Sequence, residues 1–266
     1  MRTLVILGMV IAGAATAVLA GVGIGTVERS AAPRGSPAAD DPTSNPSSDG
    51  PRALEEYAFW GHDRRGAPLR WDACTPIEFV LSARNAPEHA LADLTTALDR
   101  TAAASGLELR FAGWTDERPS ADRPLVERTT DGWRWKPVLV AWALPQETDL
   151  PLARPDRGVA VPVAVRDQDR ETFVTGQIVI NAARTDLVAG FADRSNSVGA
   201  TLLHEIGHVL GLAHVHDRRQ IMSEEPGFGP VRFGAGDLAG LNAIGSTAGC
   251  NPAPSPSAGR GLMTTR

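Results

Sequence analysis

The stretch His204-Glu205-Ile206-Gly207-His208-Val209-Leu210-Gly211-Leu212-Ala213-His214 decides how the rest of the chain is read. An α-helix turns once every ~3.6 residues, so His204 and His208 stand on one face, a turn apart. Two imidazoles stacked in this way can share one zinc ion through their ring nitrogens. Glu205, beside the first histidine, is close to the metal but poorly placed to bind it. A base serving a metal-bound water belongs there. Gly211 can adopt the left-handed conformation that ends a helix and turns the chain back, which brings His214 toward the same ion. Three histidines leave the fourth position of a tetrahedral zinc open, the mark of a catalytic site. Leu202, Leu203, Ile206, Val209 and Leu210 would make a buried helix by themselves, and one histidine among them would be an ordinary core residue. Four of the chain's 6 histidines fall at positions 204, 208, 214 and 216, however. Three of these take ligand spacing around a glutamate, which coincidence explains poorly.

The segment resembles the metzincin signature, and Ile221-Met222-Ser223 resembles that family's Met-turn. The interval from His214 to Met222 is similar to that of the matrixins. Phe233-Gly234-Ala235-Gly236-Asp237-Leu238-Ala239-Gly240-Leu241 resembles the start of the matrixin C-terminal helix. The likeness spans roughly residues 71–245, strong in the motif and resting upstream on the order of elements. It implies an α+β catalytic domain: a five-stranded mixed sheet, two long helices of which the second carries the zinc motif, and a C-terminal helix. It also implies a zinc endopeptidase. His204, His208 and His214 would hold one catalytic Zn2+, Glu205 would act as general base on the zinc-bound water, and Met222 would form a hydrophobic floor beneath the metal. Two departures stand out. His216 and Asp217 follow the third histidine where matrixins carry other residues, and Glu224-Glu225-Pro226-Gly227 replaces the Pro-x-Tyr after the Met-turn. The wall of the specificity pocket is therefore left open. Related enzymes bind Ca2+, and Arg166-Asp167-Gln168-Asp169 is acidic enough to invite one, but no EF-hand spacing is present and a solvated loop is favoured. Two rival readings are a zinc amidase or exopeptidase acting on cell-wall peptides, and a non-catalytic zinc-stabilised binding module. Glu205 and the open coordination position argue against the second.

The chain has 266 residues and a net charge of −5. No cluster of basic residues stands out, which argues against nucleic acid as a partner. Lys136 is the only lysine, and with the abundant alanine this resembles the usage of a GC-rich bacterial genome. Arg2 precedes an uncharged run over residues 3–27, closed by Glu28-Arg29. Residues 1–27 suit either a signal peptide, with Ala15-Thr16-Ala17 or Val18-Leu19-Ala20 as cleavage sites, or an N-terminal membrane anchor. Either way the remainder is expected outside the cell or on the outer face of the membrane, with membrane contact through residues 4–27 if the segment stays. Residues 28–52 are rich in Ser, Pro, Ala and Asp and read as a disordered linker without a cysteine switch. Residues 53–250 read as one domain, residues 251–266 as a flexible tail, and the protein as a monomer acting on an extended peptide or protein.

Within the domain, residues 77–81 read as a strand and residues 87–104 as a helix through Leu91, Leu94, Leu98 and Ala102, stopped by Ser105-Gly106. Further strands are expected at residues 107–111, 138–142, 159–165 and 177–180, with residues 116–131 as a loop. Pro162 cannot donate to a sheet ladder, so the strand that holds it belongs at an edge. Metzincins that this chain resembles bind extended substrate along such an edge. Ser197 is placed to cap the zinc helix. The even count of 2 cysteines in an exported chain argues for a disulfide between Cys74 and Cys250; the alternative makes Cys74 a thiolate lying on the zinc. Asp217 could orient a ligand histidine or be a solvated loop charge. His216, His62 and His89 read as surface residues, and Trp133-Arg134-Trp135 as a packed strand.

Overall fold

Large apolar residues at every second position of Ile77-Glu78-Phe79-Val80-Leu81 send Ile77, Phe79 and Leu81 into one face of a sheet, all three essentially inaccessible to solvent. The structure, a computed structural model, describes residues 56–256 with two short segments at 5–8 and 263–264. In chain order the strands are β1 (Val5–Gly8), β2 (Ile77–Ser82), β3 (Leu109–Thr115), β4 (Val126–Thr129), β5 (Gly132–Trp135), β6 (Val138–Ala143), β7 (Gly158–Asp167), β8 (Arg170–Asn181) and β9 (Met263–Thr264). The α-helices are α1 (Ala90–Ser105), α2 (Val198–Leu210) and α3 (Ala235–Ile244).

The mixed sheet runs β3-β2-β6-β8-β7-β1-β9, its body the five strands β3-β2-β6-β8-β7 and its last two the short β1 and β9. The first four run parallel and β7 returns antiparallel to β8. β6 is apolar throughout, and β8, though it carries polar residues, is buried along all but its first position, because both faces are covered. Val140, Ile178 and Ile180 meet Leu94 and Leu98 of α1 and Leu202, Leu203, Ile206 and Val209 of α2 in the main core. On the other face Val179 packs with Val159, Val161, Leu150 and Leu152. α1, α2 and α3 thus sit with the main core; β7 is not the edge strand that Pro162 implied, since it lies between β8 and β1, and among the described residues only its start, ahead of Val163, lacks a strand partner on the outer side. β1 pairs with β7 only across Val163–Arg166, and β9 pairs with β1. This is the α+β architecture the sequence implied, with the C-terminal helix in place.

One expectation fails. Residues 116–131 do not form a plain loop, because β4 lies within them and pairs with β5 in a separate hairpin. β4 is polar, so no apolar alternation announces it. A cross-strand pair between Arg134 and Glu127 (2.7 Å) supports it instead, and the turn closes at Gly132, whose φ of 127° disfavours any other residue. The loop before the hairpin is anchored by buried Arg123, which donates to Thr175 Oγ1 (3.1 Å), the Pro137 carbonyl (2.8 Å) and Glu117 Oε2 (3.2 Å).

Cys74 and Cys250 are joined in a disulfide, with Cα atoms 5.1 Å apart across 176 residues of sequence. Both sulfurs are therefore committed, and Cys74 has no free thiolate to offer a metal. Residues 251–256, assigned by composition to the tail, dock on the domain. The Asn251 amide donates to Asp72 Oδ1 (2.8 Å), its side chain to the Arg70 carbonyl (3.2 Å), and Trp135 Nε1 to the Pro254 carbonyl (3.1 Å). The expected leader (apart from residues 5–8), the linker at 28–52 and half of the tail lie outside the described residues. Among the described residues no helix is long and apolar enough to cross a membrane.

Candidate metal centre

α2 begins where Ser197, in extended conformation, accepts a hydrogen bond from the Ala200 amide (3.2 Å), the expected cap. It ends at Gly211, with φ at 118°, where a side chain would also collide with the Leu69 carbonyl oxygen 2.7 Å away. The turn carries the chain back so that His214 faces the helix. The Nε2 atoms of His204, His208 and His214 then converge, at 3.0 Å between His208 and His204, 3.0 Å between His208 and His214, and 3.1 Å between His204 and His214. Nitrogens bonded to one tetrahedral zinc at ~2.0–2.1 Å stand about 3.3 Å apart. The three rings nearly have that spacing.

Their protonation makes the stronger case. His204 Nδ1 lies 2.7 Å from the Ile221 carbonyl and His208 Nδ1 lies 2.9 Å from the Leu212 carbonyl. A carbonyl only accepts, so each Nδ1 carries the proton and each Nε2 presents a lone pair. Two lone pairs 3.0 Å apart with no proton between them repel unless a cation lies among them. Burial also disfavours charge on the rings. It pushes His204 well below its usual range, with His208 and His214 adding to the effect, and pushes His208 down to about 3. Burial lowers His214 too, against the opposing field of Glu224. Neutral imidazoles with converging lone pairs are the donor set zinc takes.

The Met-turn builds the floor. Met222 is buried beneath α2, and a Cβ on Gly207 would lie 2.4 Å from its sulfur. Buried Asp237, in the first turn of α3, accepts from the amides of Ile221 (2.7 Å) and Met222 (3.1 Å), holding the turn whose carbonyl orients His204. Trp60 packs edge-on against His208, with ring centroids 5.2 Å apart.

Glu205 is buried beside the three rings. Burial pushes its carboxyl up to about 8, with Arg157 pulling the other way and Asp156 adding to the rise. A divalent cation nearby acts in the same direction as Arg157 and favours the carboxylate. Gly158 lets β7 pass close over this group, since a Cβ there would meet Glu205 Oε1 at 3.0 Å and Cγ at 3.1 Å. The cleft above the site has a volume of about 330 Å³ and is bordered by the start of β7 on one side and by Glu224 and Pro226 on the other.

Other sequence candidates lie elsewhere. His216 is exposed, and its amide points at Glu56 Oε1 (3.4 Å). Asp217 pairs with Arg219 (2.9 Å) and orients no ligand histidine; the carbonyls of Ile221 and Leu212 do that. His62 is exposed and His89 sits near Asp93 (3.7 Å). Gln168-Asp169 forms the tight turn between β7 and β8. Of the residues that shape the site, sequence reasoning missed Asp237, Gly158, Arg157 and Trp60. Only Arg157-Gly158 carried a usable signal, a charged residue and a glycine just ahead of the proposed edge strand.

With this geometry in hand, residues 135–231 match the family model for matrixin, the M10 peptidases. The domain is matrixin-like. The matched segment of this matrixin-like chain runs from β5 through the metal helix to the loop after the Met-turn, so it contains all three histidines, Glu205 and Met222. The upstream strands β2 and β3 belong to the same mixed sheet, and α1 packs on its core face. Matrixins are zinc-dependent metallopeptidases, and His204, His208 and His214 form a group able to hold that ion. A comparison with curated proteins finds no match.

Proposed function

We propose that this matrixin-like metallopeptidase is a zinc endopeptidase in which His204, His208 and His214 are the metal ligands and Glu205 is the general base. One observation carries the reading: three ring nitrogens with inward lone pairs meet at the floor of a cleft, beside a buried carboxylate and an outer strand edge. Zinc held by these rings supplies Lewis-acid polarisation of the scissile carbonyl and lowers the pKa of a water to about 7. Glu205 takes the proton of the attacking water and delivers it to the leaving amine. Only a glycine at position 158 leaves room for the Glu205 side chain beneath the start of β7. The β7 edge from Gly158 to Pro162 offers backbone groups on which an extended peptide can align as an added strand.

Export is part of the same proposal. The Cys74–Cys250 disulfide supports an oxidising compartment, in line with the apolar N-terminal run.

Glu205→Ala tests the base. The variant should keep one equivalent of zinc and lose hydrolysis of an internally quenched peptide blocked at both ends. Loss of zinc together with activity would give Glu205 a structural role, and cleavage confined to unblocked peptides by the parent protein would replace the endopeptidase reading with an exopeptidase.

A further inference from the structure

Arg157 stands immediately ahead of β7 and lines the cleft of the metal centre together with Arg184. Its Nη1 donates to the carbonyls of Arg194 (2.9 Å) and Ser195 (3.3 Å), which fix the direction of the guanidinium. Among the described residues, its Nε and Nη2 have no hydrogen-bond partner. Arg184 is differently engaged, because its Nε and Nη2 grip Asp186 (2.8 and 2.7 Å) and its Nη1 the Pro155 carbonyl. Its positive charge nevertheless reaches Arg157 and adds to the local field. No acid among the described residues is hydrogen-bonded to Arg157, although the charge of Asp186 reaches it through space. Glu205 interacts with it through space without a hydrogen bond, Asp156 accepts from the Ala153 amide (2.8 Å), and the field of Glu224 acts on His214.

A half-buried guanidinium with a fixed plane and free donors, at the mouth of a peptide cleft, is built to receive a carboxylate. We infer that Arg157 is a specificity-determining residue that binds a carboxylate of the substrate on the side of the scissile bond that leaves the metal centre past Gly158. This deepens the peptidase reading above and rests on it. Two sources supply the same chemistry: an aspartate or glutamate side chain of an internal segment, or the C-terminal carboxylate of the peptide itself.

The test uses zinc-loaded full-length protein and paired peptides. One arm scans Glu against Gln through a quenched peptide blocked at both ends; the other compares a free C-terminal acid with its amide. The expected result is a preference for the acid of at least about tenfold in kcat/KM in one arm, shrinking as salt is raised. The arm that shows it names the source. In Arg157→Met the acid-to-amide ratio should fall to near one, and Arg157→Lys should keep part of it, with circular dichroism and zinc content verifying both folds. Fluorescence anisotropy of the same peptides, with and without zinc, reads the preference without turnover. An acid preference that survives zinc removal and disappears in Arg157→Met supports the inference. A preference that vanishes with the metal assigns the carboxylate to zinc and overturns it, as does an unchanged ratio in Arg157→Met or no acid preference in either arm. If no peptide is cleaved, the peptidase reading fails by itself, and the anisotropy measurement still decides the role of Arg157.

Discussion

The carboxylate of Asp237, on α3, and the amide of Ile221, in the Met-turn, lie 2.7 Å apart, and the carbonyl of that same Ile221 receives the Nδ1 proton of His204. A side chain 33 positions away from the first histidine therefore sets the ring that faces the metal site. In Asp237→Ala the Ile221 and Met222 amides are left buried without a partner, at a cost of about 1–3 kcal/mol each. Zinc affinity should fall about 10- to 100-fold as His204 loses its fixed orientation. Competitive chelator titration with thermal unfolding checks both, and unaltered zinc affinity in the folded variant would show that the relay does not reach the ring.

Gly207 and Met222 should be coupled. Gly207→Ala gains about 1 kcal/mol of helix propensity but drives a Cβ into a sulfur only 2.4 Å away. In the parent protein the collision should dominate and lower stability. In a Met222→Ala background, where the sulfur is gone, the same substitution should become neutral or stabilising. A double-mutant cycle of urea unfolding measures this interaction, expected at about 1–3 kcal/mol.

Glu117 gives the fold an acid-side dependence. Burial pushes its carboxyl up, but the hydrogen bond from Lys136 and the charge of Arg123 outweigh it and hold the pKa below the usual 4.5. A folded pKa below the unfolded one means that the contribution is complete above pH ~4.5 and is lost as pH falls through the lower, folded value. Glu117→Gln should cost about 3 kcal/mol at pH 7 by leaving buried Arg123 without its counter-charge. The gap from the parent should narrow on acidification in unfolding curves recorded from pH 7 to 3. Parallel curves over that range would remove Glu117 from the acid response.

Reducing the Cys74–Cys250 bond should weaken the fold without emptying the metal site. A bridge spanning 176 residues stabilises by up to about 5 kcal/mol on the chain-entropy model. Cys74→Ser with Cys250→Ser should lower Tm by several degrees and keep one zinc per chain. Loss of zinc at a temperature where the variant remains folded would tie the bridge to the centre.

How much of this was legible depended on whether the determinant repeats along the chain. His204, Glu205 and His208 follow helix periodicity, and Gly211 announces the turn that returns His214, so the donor set could be read directly. The partners that orient it could not, since the carbonyls of Ile221 and Leu212 exist at every position and leave no compositional trace. Asp217 looked better placed in sequence than Asp237, yet a neighbouring arginine claims it. β4 was missed because charge pairing rather than apolar alternation holds it to β5. Residues 251–256 looked like tail because proline and serine dominate there, while the contacts that pin them come from Trp135, Asp72 and Arg70.

Pro162 divides the outer border of the sheet into two stretches. Beyond it, Val163 to Arg166 are taken by β1; before it, Gly158 to Val161 run past the metal centre. A ring nitrogen without hydrogen interrupts the ladder between them, so an incoming chain can zip up over only about four residues before its register is broken. Such a short footprint leaves little main-chain binding to spread along a long polypeptide. Selectivity then has to be concentrated in the few side chains next to the bond that breaks.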